Sequence, residues 1–192
     1  MAPGSSAERA FGPAERATLL ALAGESIRAG LDGERLPVEV EAFAPALARA
    51  RASFVTLNLA GRLRGCMGTL EARRALVLEV AEMAHAAAFR DPRFPALGRA
   101  EFERIELHIS VLSLPEPLVF ESEEELLGQL RPGIDGLILS ERHARGTFLP
   151  SVWEQLPEPR EFLARLKQKA GLDYGHWSQA IRVERYTTES IP

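Results

Sequence analysis

The chain has 192 residues, of which 46% are hydrophobic and 26% charged, a balance that suits one folded domain with its own core and excludes an intrinsically disordered segment. A formal net charge of −4 argues against a general nucleic-acid binder, and no apolar run approaches the roughly 20 residues that cross a bilayer, so neither nucleic acid nor membrane is an expected partner. The single cysteine, Cys66, excludes an internal disulfide and the cysteine set of a resident iron–sulfur cluster, and a reducing, cytoplasmic setting is expected.

The first residues are rich in Pro, Gly, Ser and Ala and read as a loose arm over 1–13, followed by a single domain over 14–192; Glu15, Arg16 and Glu25 interrupt the apolar patch that an export signal would need. From Ala14 to Arg28 apolar residues recur at helical spacing, with Ala17, Leu20 and Ile27 on one arc that would pack on a sheet, and "RAGLDGERLP" breaks the helix. "SFVTLNLAGRLRGCMGTL" then reads as two strands joined at Ala60-Gly61. A two-residue loop would set Leu57 against Arg64 and Val55 against Cys66. An odd loop would pair Leu59 with Leu63 and Val55 with Met67, gathering the apolar side chains, and is the expected register. It places Arg64 and Cys66 on the face of Thr56 and Asn58.

"RRALVLEVAEMAHAAAFR" predicts a helix whose stripe Leu76, Val80, Met83 and Ala87 faces the core, leaving Glu79, Glu82 and His85 outside it. Pro92 and Pro95 stop it at "DPRFP". "ERIELHISVLSLPEP" alternates as a half-exposed strand, with Ile105, Leu107, Ile109 and Val111 inward and Glu106, His108 and Ser110 outward. In "ESEEELLGQL" the pair Ser122 and Glu125 fits a helix-capping box, so the acids need no metal. "DGLILS" and "GTFLP" form a strand pair around "ERHAR", "PREFLARLKQKAGL" a helix ended by Gly171 with Lys167 and Lys169 in its last turns, and "AIRVERYT" a closing strand. Strands joined by turns with helices inserted irregularly give an α+β fold, an antiparallel or mixed sheet with packed helices.

Chemistry concentrates at Cys66. A lone cysteine is commonly a buried small hydrophobe. Gly65 and Gly68, however, permit close approach by a ligand or by another segment, and Arg64 precedes the thiol by two residues. Lowering a thiol from about 8.5 to about 7 takes roughly 2 kcal/mol of preference for the anion, whereas an exposed arginine gives about 0–1 kcal/mol, so Arg64 alone is insufficient. The histidines His85, His108, His143 and His176 are scattered and show no metal spacing. His108 stands out mildly, because its strand face also carries Glu106 and Ser110. Between residues 49 and 103 nine arginines face six acids, which is either composition bias or a local pocket for an anion.

"FVTLNLAGRLRGCMGTL", followed in order by "DPRFP", "ISVLSLPEP", "DGLILS", "GTFLPSVWEQLP" and "KAGL", resembles the AMMECR domain family, also called AmmeMemoRadiSam system protein A. The signature falls on Leu63, Arg64, Gly65, Cys66, Met67 and Gly68, with Asp91, Pro92, Arg93 and Phe94 as its second element. The resemblance implies an α+β fold of two unequal lobes with a cleft near the LRGC segment, and action beside a Memo-like protein and a radical S-adenosylmethionine protein that holds the cluster this chain cannot. His108 and Asp135 depart from the family pattern, where glutamate and histidine are common.

Two readings follow. In one, the protein is a recognition component that presents a substrate or docks a partner, with Arg64, Gly65, Gly68, Asp91 and Arg93 as its binding residues. In the other, Cys66 is the nucleophile or group carrier of a thiol-dependent enzyme, Arg64 and Arg93 hold an anionic group, and Asp91 orients one arginine. No cofactor and no metal ligand are assigned in either. The substrate is unassigned, small molecule or macromolecule.

Overall fold

The computed structural model describes residues 10–192, so most of the arm expected over 1–13 lies outside the described residues. In chain order the elements are α1 (Pro13–Leu31), α2 (Pro45–Ala48), β1 (Ser53–Leu59), β2 (Arg62–Gly68), α3 (Leu76–Phe89), α4 (Arg99–Phe102), β3 (Ile105–Leu112), β4 (Glu116–Pro117), α5 (Glu123–Gln129), β5 (Gly136–Glu141), β6 (Ala144–Phe148), α6 (Pro159–Ala170), β7 (Arg182–Tyr186) and β8 (Thr188–Ile191). Two four-stranded antiparallel sheets, ordered β2-β1-β3-β8 and β4-β7-β5-β6, make this an α+β fold. The described residues divide into two compact units, 10–112 with 189–192, and 113–188.

In the first unit, α1 and α3 pack together on one face of the sheet. Leu19, Leu22 and Ile27 meet Leu76, Val80 and Ala87, with Val55, Leu57, Ile109 and Val111 from the strands beneath. Each fully buried aliphatic side chain contributes about 1.5–3 kcal/mol relative to exposure. The expected stripe of α3 is buried throughout, and α3 ends where the prolines require. Two details differ. The inward face of α1 runs through Leu19, Ala23 and Ser26, leaving Ala17 exposed, because the helix addresses α3 as well as the sheet and Ser26 Oγ donates to the Ala81 carbonyl at 2.6 Å. Glu79, expected outside the α3 stripe, is 1% exposed, since Arg74 and the Thr69 hydroxyl both reach it at 2.9 Å.

The β1–β2 hairpin corrects the expected loop. Ala60 and Gly61 both have positive φ, 50° and 72°, as in a two-residue mirror-type turn, and Leu59 pairs with Arg62 and Asn58 with Leu63. The register then slips at Leu57/Asn58, so that Leu57 meets Gly65, Thr56 meets Cys66 and Val55 meets Met67. A β-bulge at Arg64 therefore supplies the one-residue shift assigned to an odd loop. Val55 and Met67 pair as expected; Leu59 and Leu63 do not.

In the second unit, α6 packs on its sheet through Phe162, Leu163 and Leu166, and Trp153 stacks on Phe162 with centroids 3.7 Å apart. Gly171 closes α6 at φ 90°, and Ser122 Oγ caps α5 by accepting the Glu125 amide at 3.2 Å. The Glu125 carboxylate reaches back to the Glu121 amide at 2.9 Å, one residue beyond the Ser122 amide that a capping box would engage. "AIRVERYT" yields β7, and the chain continues into the short β8. No described helix is long and apolar enough to cross a membrane.

Candidate functional site

The two sequence elements around Cys66 and Asp91 interlock. β2 is the outer strand of its sheet, so its peptide groups facing away from β1 need other partners. Side chains supply them. The Cys66 amide donates to Asp91 Oδ2 at 2.9 Å, and Arg93 Nη2 donates to the Cys66 carbonyl at 3.3 Å. Asp91 also accepts the Arg93 amide at 3.1 Å, its Nε at 2.9 Å and its Nη2 at 2.7 Å, a two-point carboxylate–guanidinium pair that fixes both groups. Pro92 holds the backbone between them in a turn directly after α3.

Arg64 makes the second link. The bulge sends its side chain to the segment after α3, where Nε and Nη2 donate to Glu101 at 2.8 and 2.9 Å, and Nη2 also reaches the Pro95 carbonyl at 3.0 Å. Its side chain is 9% exposed, and Nη1 is buried without a hydrogen-bond partner. Phe94 lies between the two arginines, with the Arg64 and Arg93 guanidinium carbons 5.8 and 5.6 Å from its ring centroid. The expectation that Arg64 and Cys66 share the face of Thr56 and Asn58 meets the bulge at Arg64: the guanidinium is committed to Glu101 and the Pro95 carbonyl, and the Thr56 hydroxyl is the group on the sulfur.

The glycines resolve to close packing within the chain. A Cβ on Gly65 would stand 2.2 Å from the Ala87 carbonyl oxygen of α3, and one on Gly68 would meet the Phe54 ring at 2.4 Å. Gly65 lets the helix backbone approach the strand. Gly68 lets an aromatic ring lie across it.

Cys66 is partly buried, and the Thr56 hydroxyl donates to Sγ at 3.3 Å. Thr56 pairs with Cys66 on one side and with His108 on the other, so the three residues form a row across β2, β1 and β3, the histidine two strands from the sulfur. The charge pattern around this row is fixed. The Arg93 guanidinium, followed by the amides of Cys66 and Arg93, holds the Asp91 carboxyl well below the usual range against the opposing effect of burial. Arg64, and then the Gly98 amide, bring Glu101 down to about 2. In return Arg64 and Arg93 are raised, chiefly by these hydrogen bonds.

One participant of the site was not singled out in the sequence. Glu101 stands 37 residues from Arg64, and the local signal available was its spacing from Gly98, whose amide its carboxylate accepts at 3.0 Å. Elsewhere, Glu141 accepts from His176 Nε2 at 2.7 Å and also binds the Ser178 hydroxyl, a cluster linking residues 35 and 37 apart that no motif announced. His85 instead packs on Phe89, with ring centroids 4.8 Å apart. Asp135 is fully buried and held by Arg131.

Comparison with known proteins places these motifs in a wider set. A family model described as AMMECR1 matches residues 20–191. A protein of Methanothermobacter thermautotrophicus is 38% identical over 162 residues, covering 82% of this chain and 83% of its own length. One from Thermofilum pendens is 34% identical over 187 residues, covering 91% and 88%. The crystal structure of an uncharacterized protein from Pyrococcus horikoshii is similar with a TM-score of 0.78 and 31% identity, over 90% of this chain and 88% of that one.

Proposed function

The chain belongs to the AMMECR1 family, and from that premise we propose that it is a recognition component that presents a substrate or docks a partner, working beside a Memo-like protein and a radical S-adenosylmethionine protein. One observation carries this reading: the charged side chains of both motifs are spent inside the protein, Asp91 and Arg93 on each other and on the Cys66 backbone, and Arg64 on Glu101. Such an arrangement rigidifies a surface and leaves these charges uncommitted to proton transfer. The hydrogen bond on the sulfur comes from Thr56, a hydroxyl that is no base at neutral pH. With one cysteine in the sequence, cluster chemistry belongs to the partner. Purified chain, mixed with each partner and followed by calorimetry, is expected to bind at least one; Asp91→Ala should weaken that binding and Cys66→Ala preserve it. If Cys66→Ala folds and binds both partner and substrate but turnover is lost, the recognition reading fails.

The second reading, a thiol-dependent enzyme using Cys66, is favoured by the Cys66–Thr56–His108 row, which brings a histidine to the thiol's face of the sheet. There Thr56 would position the sulfur and His108 would be the nearest base along the row. The rate of Cys66 alkylation against pH decides it. A midpoint well below 8.5 that moves in His108→Gln supports this reading, and a midpoint near 8.5 overturns it.

A further inference from the structure

The first unit holds a cavity of about 250 Å³ that touches neither Cys66 nor the Asp91–Arg93 pair. Leu36, Val38, Leu78 and Ala81 supply apolar wall, and Arg35, Arg74 and Glu82 supply charge. Its walls come from α3 with Arg74 just before it, from the segment following α1, and from Ser26 of α1, whose hydroxyl donates to the Ala81 carbonyl. This volume lies below the roughly 300–1,000 Å³ of pockets for drug-sized ligands, so an occupant is small.

The charges are arranged unevenly. Glu82 stands among three guanidiniums: Arg35 donates to Oε2 at 3.0 Å, Arg90 binds Oε1, and Arg74 lies within electrostatic range. Arg74 itself pairs at 2.9 Å with Glu79, which is buried and also holds the Thr69 hydroxyl. Three cations are thus set against two carboxylates. One turn further along α3, burial and then Arg35 and Arg90 depress the His85 imidazole against the opposing charge of Glu82. Because Arg90 engages the other oxygen of Glu82, Arg35 can turn to an incoming anion without leaving that carboxylate bare.

We propose that this cavity binds a small aliphatic carboxylate, its head held by Arg35 and Arg74 and its tail packed on Leu36, Val38 and Leu78. Neither element suffices alone. The guanidiniums select a planar two-oxygen head group, and the apolar wall rewards a short chain over a bare ion. This site is independent of the Cys66 reading.

The test is titration calorimetry of the full chain with hexanoate, hexanol, hexylammonium and inorganic phosphate. Hexanoate is expected to bind more tightly than the other three, and Arg35→Gln, at a half-exposed position that leaves the core intact, should weaken it about tenfold. Val38→Trp should fill the cavity and abolish the binding; if that variant does not fold, Arg35→Gln decides alone. The proposal is overturned if hexanoate does not bind at millimolar concentration, if hexanol or phosphate binds equally well, or if hexanoate binds the Arg35→Gln protein unchanged.

Discussion

Two buried aspartates invite comparison. Asp91 and Asp135 are each almost inaccessible, with side chains 2% and 0% exposed, and each is paired with a half-exposed arginine, Arg93 or Arg131. Asp135 binds the amide and guanidinium of Arg131 four residues back, closing the turn that launches β5, and its own carbonyl accepts the Trp153 indole N–H at 2.7 Å. Asp91 uses the same kind of local pairing, but its Oδ2, which takes Arg93 Nη2, also accepts the Cys66 amide, 25 residues distant in sequence. The same chemistry makes a turn in one place and a long-range clamp in the other. What differs is the neighbour: an outer strand with unpaired peptide groups lies beside Asp91.

The strongest break in this comparison is Asp91→Ala. It removes a charge-assisted pair and leaves the Cys66 amide without its acceptor, so it should cost about 3 kcal/mol in urea unfolding, with hydrogen exchange at the Cys66 amide sharply faster. Unchanged exchange there would dissolve the clamp. Gly65→Ala should cost about 2 kcal/mol, because the new methyl meets a backbone oxygen at 2.2 Å that cannot swing away. Asp135→Ala, whose loss is local, should also cost about 2 kcal/mol but leave exchange at Cys66 unaltered, and a change there would erase the contrast.

Acid sharpens it further. Asp91 and Glu101 are both held below their ordinary values of 3.8 and 4.5, so the folded state binds fewer protons than the unfolded chain. Their stabilisation is complete above those ordinary values and is lost as pH falls through about 2 for Glu101 and lower for Asp91. Asp91→Asn should therefore unfold with a shallower dependence on pH in that acid range, which a denaturation series at several pH values would record. The smallest effect is Ser122→Ala, about 1 kcal/mol from the lost cap on α5, again without consequence at Cys66.

Much of the fold was legible because local rules decide it. The stripe of α3 follows from a 3.6-residue period, the stop of that helix from Pro92, the close of α6 from Gly171, and the alternation of β3 from the two-residue repeat of a pleated strand. The site was legible in its parts. Arg64, Gly65, Cys66, Gly68, Asp91 and Arg93 were marked as belonging together, and the structure brings Gly65, Cys66, Asp91 and Arg93 into one cluster with α3. What pairs with what was not legible. The apolar pattern required Val55 opposite Met67 but was indifferent to whether the shift came from the loop or from a bulge, and that choice sent Arg64 to Glu101.

By itself, then, the sequence determined the longer elements, the α+β class and the two motifs, because backbone propensity, side-chain period and the conformational limits of proline and glycine act over a few residues, while the short α2, α4, β4 and β8 were not foreseen. Only the tertiary structure decided the partners: Asp91 with the Cys66 amide, Arg64 with Glu101, Thr56 between Cys66 and His108. A hydrogen bond across tens of residues depends on where two backbones come to lie, and no local pattern encodes that distance.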